Sequence, residues 1–203
     1  MIAIVDYDAG NTFNVQKAFA YLGIPTVLTA DRDKILGAAG VVVPGVGAFK
    51  QAMETLSARG LVSVLQDVAN QEKPLLGICL GMQILFESST EYGKTAGLGL
   101  IPGTVEPLPA DLGLLVPHTG WNQNQVYKKQ SPFALVNEEY TYFVHSYYAC
   151  CDAQYITAVA EYGVKVPAIV ERGSVYGMQF HPEKSAAVGL RLLNQFGVLC
   201  GAV

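Results

Sequence analysis

The stretch KPLLGICLGMQ, Lys73–Gln83, decides the fold because it joins a buried strand to a helix through a cysteine flanked by glycines. A short apolar run ends at Cys79, which is the pattern of a strand covered on both faces. A helix is predicted from Leu80 to Glu87. Gly77 and Gly81 stand where side chains would collide with neighbouring backbone in a sharp turn. The stretch therefore predicts a strand-to-helix elbow with Cys79 at its corner.

Outside this stretch, the first half of the chain alternates short apolar segments with amphipathic ones. The segments IAIV, TVLTA and GVVVPGVG are predicted strands, and TFNVQKAFAYLG, AFKQAMETLSARG and LVSVLQDVANQ are predicted helices. From Gly97 to Gly177, β-forming and turn residues predict antiparallel strands. Ala186 to Leu199 predicts a terminal amphipathic helix. We expect a single α/β domain over residues 1–203, flavodoxin-like, with a mixed, mostly parallel sheet and helices on both faces.

Composition and charge exclude several classes of protein. Apolar residues make up 51% of the chain, enough for a large core, so disorder is excluded. The net charge is −4 and no long Lys/Arg cluster occurs, which argues against nucleic-acid binding. No apolar run has the length of a membrane span, and the N-terminus lacks the pattern of a secretory signal, so a cytoplasmic location is expected. Cysteine and histidine spacings suggest neither a zinc site nor a disulfide framework, and no metal is predicted.

The predicted elbow has the form G-x-C-x-G, the cysteine version of a nucleophile elbow. It would put the sulfur of Cys79 at a helix N-terminus, whose partial positive charge favours thiolate over thiol. The N–H of Leu80 would point the same way and stabilise an oxyanion. The alternative is a buried cysteine whose flanking glycines serve only tight packing. An isolated G-x-C-x-G does not decide between the two.

A base and an acid occur together in GMQFHPEKS, Gly177–Ser185. Pro182 restricts His181 to an extended conformation, in which residues i and i+2 point the same way. Glu183 would then hold one ring nitrogen of His181 while the other nitrogen faces the thiolate, as in a catalytic triad. The alternative is a surface His-Pro-Glu turn. His118 and His145 remain as competing bases.

Together, GICLGMQ and HPEKS resemble the class I, or triad, glutamine amidotransferases. Within that family, PGVGAF (Pro44–Phe49), HTGWN (His118–Asn122) and YFVHSYY (Tyr142–Tyr148) resemble the glutaminase subunits of imidazole glycerol phosphate synthase, from histidine biosynthesis. The resemblance extends over essentially the whole chain. Asp8 and Thr119 depart from it, since glycine and methionine are common at these positions in relatives.

The resemblance implies roles for individual residues and no cofactor. Cys79 would attack the γ-amide carbon of glutamine, His181 would transfer protons and Glu183 would orient His181. The γ-glutamyl thioester would then be hydrolysed to glutamate. The resemblance implies an oxyanion hole from the N–H of Leu80 and the peptide at Val46. It implies glutamine contacts at Gly47, Gln83, Glu91, Ser146 and Tyr147.

The resemblance also implies a partner, a (β/α)8-barrel cyclase that forms a heterodimer with the glutaminase and activates it. The cyclase would use the ammonia to make imidazole glycerol phosphate and aminoimidazole carboxamide ribotide. Residues implied to lie near the partner are Asn11, Asn14, Trp121, Asn122 and Lys184. Two alternatives stay open: Asn11 would serve as a helix cap, and Trp121 would belong to the core.

Three other functions compete with this one. A glutaminase subunit of anthranilate or pyridoxal phosphate synthesis is disfavoured by PGVG and HTGWN. A non-enzymatic relative would lack a member of the triad, yet Cys79, His181 and Glu183 are all present. A hydrolase of γ-glutamyl peptides would be expected to be secreted, and no signal is recognised.

Overall fold

The computed structural model describes residues 1–110 and 113–203. The described strands are β1 (Ile2–Val5), β2 (Thr26–Thr29), β3 (Gly40–Gly45), β4 (Leu75–Cys79), β5 (Phe86–Ser89), β6 (Thr95–Ala96), β7 (Ile101–Pro107), β8 (His118–Val126), β9 (Tyr140–His145), β10 (Tyr147–Cys150), β11 (Ile156–Glu161), β12 (Lys165–Arg172) and β13 (Val175–Met178). The α-helices are α1 (Thr12–Tyr21), α2 (Arg32–Gly37), α3 (Phe49–Ala58), α4 (Leu61–Asn70), α5 (Leu80–Gln83) and α6 (Ala186–Leu199). Short 3-10 turns occupy Ala134–Val136, Ala153–Tyr155 and Pro182–Lys184.

The main sheet has the strand order β2-β1-β3-β4-β13-β12-β11-β8-β9 within the described ranges. Strands β2, β1, β3, β4 and β13 pair in parallel, and the pairs from β13 to β9 are antiparallel. The prediction of a mixed sheet is confirmed, but in the described ranges its parallel and antiparallel pairs are equal in number, because β13, from the second half of the chain, pairs in parallel with β4. Strand β4, which ends at Cys79, therefore lies in the interior of the sheet, where parallel strands are covered on both faces.

Alternation along the parallel strands divides the core into two layers. In β1, Ile2 and Ile4 face a layer that contains the apolar faces of α1 and α6, including Phe19 and Phe196. Ala3 and Val5 face the opposite layer, which contains the apolar faces of α3 and α4. Because successive side chains of a strand point to opposite faces, a fully apolar strand builds both layers at once. Helices thus cover both faces, as predicted.

A second sheet, with the order β10-β7-β5-β6, packs against the layer that contains α3 and α4. It was not predicted, and it changes the helix that follows the elbow. Helix α5 ends at Gln83, so the predicted helix to Glu87 was too long. The reason is tertiary: Phe86, Ser88 and Ser89 pair with β7, and this pairing overrides the local helical pattern.

The backbone at the elbow confirms the predicted sharp turn. Cys79 adopts φ 55° and ψ −110°, a conformation that costs free energy for a residue with a side chain. A Cβ atom at Gly81 would lie 1.7 Å from the carbonyl oxygen of Val43, and one at Gly77 would lie 2.4 Å from that of Gly81. The glycines are therefore needed because α5 begins in backbone contact with β3. No helix in the described part of the chain has the length and apolar character to cross a bilayer.

The first prediction concerns this contact. Gly81→Ala would push a methyl group into the backbone of β3, so we expect a loss of about 3 kcal/mol or more in the free energy of unfolding. Gly37→Ala is the matched control, because a Cβ atom there has open space and Gly37 ends a helix. Its effect should be below about 1 kcal/mol. Urea unfolding followed by circular dichroism measures both, and equal effects would show that the elbow tolerates a side chain.

Candidate active site

A cavity of about 340 Å³ opens at the carboxyl ends of β3 and β4. Sites in parallel sheets are expected at this edge. Among the residues that line the cavity are nine that were predicted from the sequence to be catalytic or to bind glutamine, namely Val46, Gly47, Cys79, Leu80, Gln83, Glu91, Ser146, Tyr147 and His181. Glu183 lies behind His181 and completes the predicted set.

Cys79, His181 and Glu183 are brought together by three elements. Cys79 is at the elbow, and its thiol lies 3.8 Å from the carbonyl oxygen of Val144. His181 follows β13, and its Nδ1 atom is 2.7 Å from Oε1 of Glu183. The side chains of His181 and Glu183 are fully buried. Glu183 reaches His181 from a 3-10 turn, Pro182–Lys184, so the extended backbone assumed from the sequence was wrong beyond His181.

The electrostatics favour a charged imidazole. Burial alone lowers the pKa of His181, but interactions with the sulfur of Cys79 and the carboxylate of Glu183 outweigh burial and raise it to about 9. The Nε2 atom of His181 is buried and meets hydrogen-bond geometry with no described residue. The thiol and the imidazole are therefore close enough to interact but are not joined by a well-formed hydrogen bond.

Asn11 contacts the acid of this group. Its Nδ2 atom donates a hydrogen bond to Oε1 of Glu183 over 2.5 Å, and its Oδ1 atom accepts one from Asn14 over 2.8 Å. Asn11 occupies the N-cap position of α1, but its side chain makes no cap hydrogen bond, so the alternative that this side chain caps the helix is wrong. Glu183 thus has two donors on Oε1, one from His181 and one from Asn11, and together they hold the carboxylate beside the imidazole.

The loop after β3 forms the opposite wall. Val46 is half-exposed, and Gly47 adopts φ 110°, a conformation that favours glycine. The buried hydroxyl of Tyr7 donates to the carbonyl of Pro44 over 2.7 Å and so holds the start of the loop. Burial, with a smaller contribution from Cys79, raises the pKa of that hydroxyl well above its usual value, so Tyr7 stays a neutral donor.

Two polar side chains that were predicted to contact glutamine also hold the cavity together. Nε2 of Gln83 donates to the carbonyl of Tyr147 over 2.9 Å. Oε2 of Glu91 accepts from the N–H of Phe49, the first residue of α3, over 2.6 Å. A carboxylate at a helix N-terminus is stabilised by the helix dipole, so Glu91 fixes the helix that follows the Val46–Gly47 loop.

Gln179 is a site residue that the sequence reasoning missed. It is fully buried, its Nε2 atom lies 3.9 Å from the sulfur of Cys79, and its Oε1 atom accepts from Gln83 over 3.1 Å. The signal was present in the sequence, because Gln179 stands two residues before His181 at the end of a strand. Alternation along extended backbone turns both side chains toward Cys79.

The comparisons with known proteins agree with this geometry. The family model described as "Glutamine amidotransferase class-I" matches residues 3–199. The chain is 57% identical to "Imidazole glycerol phosphate synthase subunit HisH" of Lactiplantibacillus plantarum, over 100% of this chain and 97% of that protein. It is 51% identical to the protein of the same name from Streptococcus sanguinis, over 97% and 95% of the two chains. This chain belongs to the class I glutamine amidotransferases.

Solved structures show the same fold at much lower identity. A structure described as "Crystal structure of glutamine amidotransferase" has a TM-score of 0.77 at 20% identity and covers 99% of this chain and 100% of that one. The glutaminase domain of Trypanosoma brucei CTPS, with bound acivicin, has a TM-score of 0.68 at 19% identity, over 98% and 93% of the chains. The fold prediction of a class I amidotransferase is therefore confirmed.

The amidotransferase residues that were predicted to face a partner differ in exposure. Asn14 and Lys184 are exposed, and Asn11 and Asn122 are half-buried. Trp121 is 52% exposed, with its ring edge against Tyr142, so the alternative that it belongs to the core is wrong. Tyr142 in turn accepts the N–H of His181 at its carbonyl. Trp121 thus contacts Tyr142, whose backbone is hydrogen-bonded to that of His181.

His118 and His145, the competing bases, form a buried pair in this amidotransferase. Nδ1 of His118 lies 3.0 Å from Nε2 of His145, and Nδ1 of His145 lies 2.9 Å from the carbonyl oxygen of Tyr147. Neither ring makes a hydrogen bond to Cys79. Burial lowers the pKa of His118 to about 4 and is the main cause that lowers that of His145 to about 3. Both rings are therefore neutral at the pH at which His181 is charged.

The second prediction follows from these two lowered pKa values. An unfolded histidine titrates near 6.5, so between about pH 4 and 6.5 the unfolded chain binds more protons than the folded one. The free energy of unfolding should therefore fall as the pH drops through this range. In His118→Phe the slope against pH should be shallower by about one bound proton. Urea titrations at several pH values measure it, and an unchanged slope would mean that His118 is charged when folded.

Proposed function

We propose that this chain hydrolyses glutamine to glutamate and ammonia, as the glutaminase subunit of an imidazole glycerol phosphate synthase. The observation that carries the proposal is the thiol of Cys79 on a strained elbow, in one cavity with a buried imidazole whose other nitrogen is held by Glu183. The 57% identity to HisH over the whole chain gives the pathway. No described feature favours the anthranilate, pyridoxal phosphate or γ-glutamyl peptide alternatives.

Acylation of Cys79 would be the first half of the reaction. The sulfur attacks the γ-amide carbon, and the amide oxygen becomes an oxyanion. His181, which carries the thiol proton, delivers it to the amide nitrogen, so the C–N bond breaks and ammonia leaves. The raised pKa of His181, about 9, suits this role, because the proton then resides on the imidazole at neutral pH. Glu183 and Asn11 hold the imidazole in position.

Deacylation would return the enzyme to its starting state. His181, neutral after it has given its proton to the departing amide nitrogen, takes a proton from water, and the resulting hydroxide attacks the thioester carbonyl. The C–S bond breaks, glutamate leaves and Cys79 is again a thiolate beside a charged His181. The oxyanion of both steps would be stabilised by the N–H of Leu80 and by the peptide at Val46. The position of both residues on the cavity wall supports this assignment.

Glutamine recognition would come from the other cavity residues. The carboxylate of Glu91 is the charge-complementary group for the α-ammonium of the substrate. Gly47 and the Ser146–Tyr147 segment line the same space and offer main-chain groups. Gln83 supports this wall through its hydrogen bond to Tyr147. Such a set recognises a free amino acid and leaves the γ-amide directed at Cys79.

Ammonia would pass to a barrel-fold cyclase subunit that forms a heterodimer with this chain. The name of the relatives, a synthase subunit, supports the existence of a partner. We propose Asn11, Asn14, Trp121, Asn122 and Lys184 as the surface that faces it. Asn11 connects this surface directly to Glu183, so partner binding would act on the triad through one side chain. We place the reaction in the cytoplasm, where thiols stay reduced.

The third prediction tests this chemistry. Cys79→Ala should lower glutamate release from glutamine by about 10⁴-fold or more, because Cys79 is the one cysteine among the described residues that line the cavity. Cys150→Ala is the matched control, since Cys150 is a half-buried cysteine outside the cavity, and its rate should stay within about twofold of the wild type. Each variant is assayed alone and mixed with the cyclase subunit and the cyclase's ribonucleotide ligand.

Two results of that assay decide different parts of the proposal. Release that persists in Cys79→Ala would remove Cys79 as the nucleophile. Release in the wild type that the cyclase and its ligand fail to accelerate would contradict the assignment to the histidine pathway, while leaving the glutaminase chemistry in place. Melting temperatures of the variants show that loss of activity is not loss of fold.

A further inference from the structure

At one wall of the cavity the chain passes from the main sheet to the second sheet, and several hydrogen bonds fix this crossing. Strand β9 ends at His145 in the main sheet, and β10 begins at Tyr147 in the second sheet, with Ser146 between them. The carbonyl of Tyr147 lies within hydrogen-bond distance of both Nδ1 of His145 and Nε2 of Gln83. The carbonyl of Ser146 accepts from the N–H of Leu108. The Ser146–Tyr147 wall is thus defined by hydrogen bonds from three directions.

The hydrogen bonds at His145 have a fixed direction. A carbonyl oxygen only accepts, so Nδ1 of His145 must carry its proton, and Nε2 of a neutral ring is then an acceptor. The donor to that Nε2 atom is Nδ1–H of His118, at 3.0 Å. Nε2 of His118 is consequently an acceptor too, and the amide nitrogen of Asn122 lies 3.5 Å from it. The same amide donates to the carbonyl of Glu161 over 2.9 Å.

Packing fixes the plane of the donor ring. The ring of His118 is stacked between Tyr162, at a centroid distance of 3.8 Å, and Phe143, at 4.9 Å, with interplanar angles of 17° in both cases. Only 2% of His118 and 6% of His145 are exposed. His181 is the charged group near His145, and its positive charge further disfavours protonation of that ring. The stacking and the hydrogen bonds therefore hold both rings in their neutral tautomers and in fixed orientations.

We propose that His145 and His118 are positioning residues that fix the Ser146–Tyr147 wall for the main-chain part of glutamine, without contact to a reacting atom. The inference rests on the proposed glutaminase function. It predicts that loss of the hydrogen bond from His145 to Tyr147 weakens substrate binding, whereas the nucleophile and its base keep their geometry. A purely structural role would instead lower stability and reactivity together.

The fourth prediction uses two variants, each of which keeps one of the two hydrogen-bond contacts of the His145 ring. In His145→Asn the amide nitrogen stands close to the former Nδ1 atom and retains the donor to Tyr147. In His145→Gln the amide lies near the former Nε2 atom, so the contact to His118 is kept and the donor to Tyr147 is lost. We expect His145→Gln to raise the KM for glutamine about tenfold or more, with kcat within about threefold. His145→Asn keeps the donor to Tyr147 but loses the contact to His118, so it should raise the KM by only about three- to tenfold, again with kcat within about threefold.

A third variant reaches the same wall without altering His145. His118→Phe keeps the stacking on Tyr162 and Phe143 and removes the donor to His145, so it should raise the KM by about three- to tenfold. The assays are run on the complex with the cyclase subunit. Alkylation of Cys79 by iodoacetamide without glutamine reports on the nucleophile and should stay within about twofold of the wild-type rate in all three variants.

The outcomes separate this inference from the proposed function. A KM that is unchanged in His145→Gln and His118→Phe, or a fall in kcat and alkylation rate without a rise in KM, would overturn the positioning role. Equal effects of the Asn and Gln variants would overturn it as well. If His145→Gln does not fold, His118→Phe decides alone. The glutaminase proposal itself fails only if Cys79→Ala still releases glutamate, which the same assay reports independently.

Discussion

The rest of the site depends on the contact between the first turn of α5 and the backbone of β3. Gly81 lies so close to the carbonyl of Val43 that no side chain fits, and a Cβ atom at Gly77 would also clash, 2.4 Å from the carbonyl oxygen of Gly81. This contact forces the chain to turn within one residue, so Cys79 takes a positive φ and lies at the wall of the cavity. An interior parallel strand makes the turn rigid, because β4 is paired on both sides. The nucleophile is therefore positioned by packing before any substrate arrives.

A second constraint is the charge buried beside the elbow. Removal of a carboxylate and an imidazolium from water is unfavourable unless each finds partners. Oε1 of Glu183 has two donors, from His181 and Asn11, whereas Oε2 is buried without a partner among the described residues. Burial of these two charged groups lowers the stability of the fold, but such an environment suits proton transfer. The contrast with the neutral His118–His145 pair, of which His145 lines the same cavity, shows how burial and neighbours set opposite charge states for chemically identical rings.

Sequence reasoning predicted those parts of the molecule in which local pattern and tertiary structure agree. The apolar runs gave the parallel strands, and the G-x-C-x-G spacing gave the elbow, because both are dictated by sterics of a few neighbouring residues. It failed where distant pairing decides. Helix α5 stops at Gln83 because Phe86 joins β7, which no local pattern reveals. Glu183 reaches His181 from a 3-10 turn rather than an extended strand. The hydrogen bond from the amide of Asn11 to Glu183, 172 residues away in the chain, was likewise not predicted.

The central claim is that the elbow holds Cys79 as the group that carries the γ-glutamyl intermediate. Trapping that intermediate tests it most directly: the complex with the cyclase subunit is mixed with glutamine, quenched in acid during turnover, digested and examined by mass spectrometry. We expect a peptide that contains Cys79 and is heavier by one γ-glutamyl group. The peptide should lose this group once glutamine is exhausted. A γ-glutamyl group on Cys150, Cys151 or Cys200 instead, or turnover with no adduct on Cys79, would contradict it.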